Sequence, residues 1–93
     1  MGETKIQRDI IRYLEKRGAY VARVVVAGKE GTHDLICCYK GKFITFEVKD
    51  ASSLSPLQIK HGNRILKAGG DWCAPNCVED VEQALREIEN GNF

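Results

Sequence analysis

The sequence predicts an α/β sandwich, a mixed sheet flanked by helices, with the element order αβββαβα. Three observations predict it. Apolar residues recur at helical spacing near both ends, in residues 3–17 and again at Val78, Val81, Leu85 and Ile88. Between them lies a block of β-branched and aromatic residues broken by a Lys40-Gly41 turn. Directly after that block, Ser55-Pro56-Leu57-Gln58 announces a further helix. Strands in a meander with helices laid against them bury both kinds of apolar face, although such a fold by itself says nothing about chemistry.

Each element has its own signature. Ile6, Ile10, Ile11 and Leu14 form the apolar stripe of a helix over 3–17, and Gly18 ends it. Residues 20–26 (Tyr-Val-Ala-Arg-Val-Val-Val) read as a strand, and 28–32 as a polar, glycine-bearing loop. Two strands follow, over 33–39 and 42–49. In the next helix Ser55 is the N-cap, Pro56 the first helical residue and Gln58 the capping-box partner; it runs to about Ala68 and stops at Gly69-Gly70. Residues 71–75 are a short strand, Asn76 caps the last helix, and Gly91 lies beyond its end. No repeat, linker or low-complexity tract interrupts this order, so residues 1–93 are expected to form a single domain with one core.

Composition excludes more than it selects. The 93 residues are 43% hydrophobic and 29% charged, ordinary values for a globular chain. No apolar run approaches the roughly 20 residues of a membrane span. The first residues read as the start of a charged helix and not as a leader, and the expected location is the cytoplasm. Cys37 and Cys38 are strand neighbours facing opposite ways, and Cys73 and Cys77 complete no zinc pattern, so all four are expected as buried or free thiols. The net charge of +1 (14 basic minus 13 acidic) does not point to a polyanion. Its distribution is more suggestive: Lys5, Arg8, Arg12 and Lys16 share one face of the first helix, and Lys60, Arg64 and Lys67 one face of the second. Either stripe is an ordinary solvated face or a surface for phosphates.

The hairpin register locates a candidate site. If Lys40-Gly41 is a two-residue turn, Leu35 faces Phe46 and Cys37 faces Ile44 on one side, while Ile36 meets Thr45 and Cys38 meets Phe43 on the other. At the open end Asp34 then meets Glu47, with Cβ atoms about 5 Å apart. Lys49 is two residues beyond, on the same face. Like charges directly opposite destabilise a sheet, and a divalent cation between them would remove the conflict. Such an ion would lower the pKa of a bound water and stabilise charge on an attacked phosphodiester, with Lys49 holding the water or neutralising the phosphate. The plainer reading is a surface carboxylate pair neutralised by Lys49. A longer, bulged turn at Gly41 would undo the pairing altogether. Glu3, on the side of its helix that carries Ile6, Gln7 and Ile10, would extend toward the same place, or else simply favour the helix N-terminus.

At this point the chain resembles a family. Asp34 followed by Glu47-Val48-Lys49 matches the D…(E/D)-x-K signature of the PD-(D/E)XK nucleases. More specifically, the blocks Glu3…Ile10…Leu14…Gly18, Gly31-Thr32-His33-Asp34, Glu47-Val48-Lys49 and Ser55-Pro56-Leu57-Gln58 are similar in kind and order to those of the VRR-NUC domain, over nearly the whole chain. The D…ExK element alone is weak; four blocks in order are specific.

The resemblance implies a restriction-endonuclease-like fold and Mg²⁺- or Mn²⁺-dependent hydrolysis of DNA phosphodiesters. It implies a stand-alone enzyme of phage or bacterial type that works as a homodimer and resolves four-way (Holliday) junctions. It further implies Asp34, Glu47 and the Val48 carbonyl as metal ligands, Lys49 as catalytic lysine, and Glu3 and Gln58 in support, Glu3 also toward the metal. Lys5, Arg8, Arg12, Lys60 and Arg64 are the expected DNA contacts. A nickase or flap-type nuclease within a phage replication or repair assembly, and a non-catalytic DNA-binding module, are the rival readings; an intact Glu3, Asp34, Glu47 and Lys49 set argues against the last. The family usually has proline immediately before the aspartate, where this chain has His33, expected here as a solvent-facing strand residue with a metal or phosphate contact as the alternative. His61 is expected at the surface, Arg23 near phosphate or an acid, and Trp72 in packing. No finger, helix–turn–helix or aromatic platform for base readout is evident, so recognition should rest on shape and phosphate contact.

Overall fold

A computed structural model of the chain describes residues 3–25, 28, 31–49 and 53–91. The elements come in the expected order: α1 (Lys5–Lys16), β1 (Tyr20–Arg23), β2 (Leu35–Tyr39), β3 (Lys42–Phe46), α2 (Pro56–Lys67), β4 (Asp71–Cys73) and α3 (Val78–Glu89). The four strands form one sheet in the order β1-β2-β3-β4. β1, β2 and β3 are antiparallel, and β4 joins parallel to β3 after the α2 crossover.

The hairpin has the two-residue turn. Lys40 and Gly41 both take positive φ, 50° and 80°, as a type I′ turn requires. The register follows: Leu35 pairs with Phe46, Ile36 with Thr45, Cys37 with Ile44, Cys38 with Phe43 and Tyr39 with Lys42. This sorts the side chains onto two faces. Leu35, Cys37, Ile44 and Phe46 enter the core with Ile10 and Leu14 of α1 and Val81, Leu85 and Ile88 of α3. The opposite face carries Ile36, Cys38, Phe43 and Thr45, and α2 covers its β3–β4 side. Gly62 sets how closely α2 approaches: a Cβ there would stand 2.2 Å from Trp72 Cε2, so only glycine lets the helix lie on the indole. Trp72 thus serves in packing, as expected.

The boundaries differ from expectation where capping decides them. α1 starts at Lys5 because Thr4 is the N-cap, with Gln7 completing a capping box; Glu3 therefore precedes the helix and is not on its core-facing stripe. The N-cap of α3 is Cys77 and not Asn76. Cys77 makes no side-chain cap bond, and the Asn76 N–H instead donates to Asp80 at 3.1 Å. β1 ends at Arg23, although the Val24 N–H still bonds to the Asp34 carbonyl; residue 26 of the expected strand lies outside the described residues. All four cysteines are free. No helix among the described residues is long and apolar enough to cross a membrane.

Candidate active site

The site lies where three elements end. Asp34 immediately precedes β2 and Glu47 immediately follows β3, one step beyond the last ladder pair, Leu35 with Phe46. The chain after β3 stays extended because it continues to bond alongside β4: the Glu47 N–H donates to the Cys73 carbonyl and the Lys49 N–H to the Pro75 carbonyl, both at 2.9 Å. Alternation therefore continues, and Glu47 keeps the face that bears Thr45. The Val48 N–H donates to Asp34 Oδ2 at 3.0 Å, which fixes the aspartate against this segment. The third element is α2, whose first turn carries Gln58.

Gln58 has two roles that its sequence position alone could not separate. Its Oε1 accepts the Ser55 N–H at 2.8 Å, completing the capping box, while its Nε2 donates to Glu47 Oε2 at 2.9 Å. Lys49 Nζ lies 3.8 Å from that same Glu47 oxygen. Glu47 is buried, 4% exposed, and its other oxygen, Oε1, is buried without a hydrogen-bond partner among the described residues. Burial, and next the charge of the adjacent Asp34, raise the Glu47 pKa well above the ordinary carboxylate range, with Lys49 pulling the other way.

An orphaned buried carboxylate oxygen beside a second carboxylate is costly for folding alone. The two acids and the waters and phosphate oxygens of a substrate are the donor set that Mg²⁺ or Mn²⁺ takes, so the residues present fit such an ion. Among the described residues no group of three or more acids, histidines or cysteines assembles to hold a metal. Glu3 is therefore not brought into a three-acid group with Asp34 and Glu47; it stands before the Thr4 cap, with its carbonyl 3.4 Å from Arg8 Nη1.

His33 corrects the expectation of a solvent-facing residue. It is 2% exposed. Its Nε2 lies 2.8 Å from the Gln58 carbonyl, an acceptor, so this nitrogen carries the hydrogen; Nδ1, 2.7 Å from Thr45 Oγ1, then accepts from the hydroxyl. The ring lies 5.0 Å from that of Trp72. His33 thus ties the start of β2 to β3 and to the first turn of α2. The sequence held one hint, a threonine sharing the Glu47 face, since a buried hydroxyl needs a partner. His61 is half-buried, with its ring 6.4 Å from His33. Arg23 ends β1 opposite Leu35 and is half-buried.

Both basic stripes start at the site. Lys5 and the first turn of α1 form a groove with Val48, and Lys60 and Arg64 follow Gln58 along α2. Arg8, Arg12, Lys16, Lys60, Arg64 and Lys67 are exposed; Lys5 is exposed too and pairs with Asp9 at 2.8 Å.

Comparison with known proteins bears on the family and the fold. Residues 2–66 match the family described as archaeal Holliday junction resolvase (Hjc), a family of PD-(D/E)XK nucleases. A solved structure of a VRR-NUC domain superposes with a TM-score of 0.75 at 22% identity, covering 88% of this chain and 91% of that one. At that identity the likeness shows the fold, which is the restriction-endonuclease-like one expected from sequence. No curated protein matches the chain in sequence.

Proposed function

The chain belongs to the archaeal Holliday junction resolvase family of PD-(D/E)XK nucleases, and from that premise we propose that it is a Mg²⁺- or Mn²⁺-dependent, structure-selective DNA endonuclease that resolves four-way junctions as a homodimer. The observation that carries this reading is the Asp34–Glu47 pair, with a buried Glu47 oxygen that has no hydrogen-bond partner among the described residues and Lys49 beside it.

Asp34, Glu47 and the Val48 carbonyl would hold the ion. When bound, it supplies Lewis acidity toward the scissile phosphate and a water of lowered pKa. Lys49 orients that water or neutralises charge on the phosphate. Gln58 keeps the Glu47 carboxylate turned toward the site through its 2.9 Å bond. Asp34 is held against the segment that carries Glu47 by the Val48 N–H. Lys5, Arg8, Arg12, Lys60 and Arg64 contact the DNA backbone on either side, which makes binding steeply salt-dependent and largely independent of base sequence. One such site cuts one strand. A four-way junction has two-fold symmetry, and a C2 dimer supplies the second site in matching register. Residues 1–93 act as a single nuclease domain, with recombination or repair DNA in the cytoplasm as substrate.

The test is cleavage of a labelled synthetic four-way junction beside matched duplex, fork and single strand, with Mg²⁺ or Mn²⁺, by wild type and Lys49→Ala. Paired nicks in the junction, absent in EDTA and in Lys49→Ala, are expected. Cutting of fork or duplex instead would keep the chemistry and sink the junction assignment, and binding without metal-dependent cutting would leave a DNA-binding module.

A further inference from the structure

A groove lies beside the site and not within it. It has a volume of about 660 Å³, within the range of small-ligand sites, about 300–1,000 Å³. It runs along the β2-facing flank of α2, from Thr32, two residues before Asp34, to the hairpin turn at Gly41 and the end of the helix at Gly69-Gly70. Lys42, His61 and Arg64 line it, and so does Phe43, whose side chain shares a strand face with Thr45 and Glu47.

Phe43 is an unusual residue to leave there. It is 46% exposed. Its ring packs close to the Gly70 backbone, where a Cβ would stand 3.0 Å from Phe43 Cδ2, while much of it stays open. An open aromatic ring in one groove with an arginine, here Arg64 of α2, is the combination by which proteins hold an unpaired nucleotide, with the base stacked and the phosphate paired.

We propose that this groove is a subsite for one unpaired nucleotide of the bound DNA, with its base stacked on Phe43 and its phosphate on Arg64. The inference rests on the nuclease reading and deepens it. Phe43 lies four residues along the chain from Glu47, roughly 13 Å at strand spacing. A stacked strand advances about 3.4 Å per nucleotide, so the captured base lies within about four nucleotides of the scissile bond, and nearer if the strand is stretched. A base already unstacked at a branch or flap enters without the cost of opening a duplex, whereas a base in an intact duplex must first be extruded. The groove thereby supplies a physical basis for preferring DNA with an unpaired arm, a fork or flap, over linear duplex; a fully paired four-way junction fills it only if a base at the crossover opens.

The 93-residue chain in EDTA and low salt, where no cutting competes, is titrated with a fork carrying one unpaired arm and with a blunt duplex of the same length. Phe43→Ala is expected to weaken fork binding about 5- to 100-fold, the loss of one base–aromatic stack, and to leave duplex binding within about twofold. Phe43→Tyr should restore it, and unchanged duplex affinity reports that the variant is folded. Equal effects of Phe43→Ala on fork and duplex, or no effect on either, overturn the subsite while leaving the nuclease reading intact. Failure of the wild type both to bind either DNA and to cut with Mg²⁺ overturns the nuclease reading, and the subsite with it.

Discussion

The side-chain amide of Gln58 joins the N-terminus of α2 to Glu47: one end of the amide accepts from the Ser55 N–H and the other donates to the buried carboxylate at 2.9 Å. Helix capping and the site are therefore one structure. The same helix turn is gripped from beneath by His33, whose ring bonds the Gln58 carbonyl.

Removing the amide should act on both. Gln58→Ala is expected to lower cleavage about 10- to 100-fold, as loss of a ligand-orienting partner typically does. It should also cost about 0.5–2 kcal/mol through the lost cap. Ser55→Ala removes a cap bond but not the Glu47 partner, so it should reproduce the stability loss with most of the activity retained. Denaturant titration beside cleavage rates separates the two; equal activity losses would mean that Gln58 acts only as a cap.

The pH dependence of stability follows from Glu47. Its folded-state pKa is raised, mainly by burial and next by Asp34. Its contribution to stability is therefore present at low pH and lost as pH rises through the raised value. In EDTA the wild type should lose stability between pH 5 and pH 8, on top of any other titration. Glu47→Gln should flatten that loss and be more stable than wild type at pH 8 by about 1–3 kcal/mol, while being inactive. Millimolar Mg²⁺ or Mn²⁺ should stabilise the wild type at pH 8 and not the variant. Urea denaturation at the two pH values checks it, and a variant no more stable than wild type at pH 8 would contradict the assigned strain.

His33 offers a structural test. His33→Leu leaves the Gln58 carbonyl and the Thr45 hydroxyl without their buried partner. It should cost roughly 1–3 kcal/mol, mainly the buried Thr45 hydroxyl left unsatisfied, since the Gln58 carbonyl keeps its bond within the helix. A change below about 0.5 kcal/mol in chemical denaturation would show that water replaces the ring at no loss.

Gly62→Ala places a methyl 2.2 Å from the Trp72 indole. Helix propensity favours alanine by about 1 kcal/mol, and overpacking costs about 1–3. At that distance α2 must shift, so net destabilisation and reduced cleavage are expected together. Adding Trp72→Leu should recover part of both, as measured by thermal unfolding and nicking rate.

The thiols should differ in reactivity. Burial pushes Cys37 up to about 11 and Cys73 up to about 12, whereas Cys38 is exposed. A thiolate reagent at pH 8 should label Cys38 first and reach Cys37 and Cys73 only on unfolding. Mass spectrometry of partially labelled protein reads the order.

The sequence by itself determined the order of elements, the hairpin register and hence which residues share a face. Those depend on short-range physics: a two-residue turn with glycine at its second position fixes every pair from Leu35–Phe46 to Tyr39–Lys42. That same register carried Asp34 to Glu47 before any tertiary contact was considered, and the capping box placed Gln58 at the start of α2. Only the tertiary structure decided the rest. His33 looked exposed because strand alternation says nothing of what lies over a residue; docking of α2 buried it against Thr45 and Trp72. Glu3 looked core-facing because helical periodicity ran through it, but Thr4 and Gln7 close the cap one residue later and leave it outside. The double use of the Gln58 amide and the open ring of Phe43 arise from how far one helix lies across the sheet, a distance set by Gly62 on Trp72 and by Gly31 against Leu57, where a Cβ would come within 2.7 Å. Such distances come from packing between elements far apart in the chain, to which local patterns are blind.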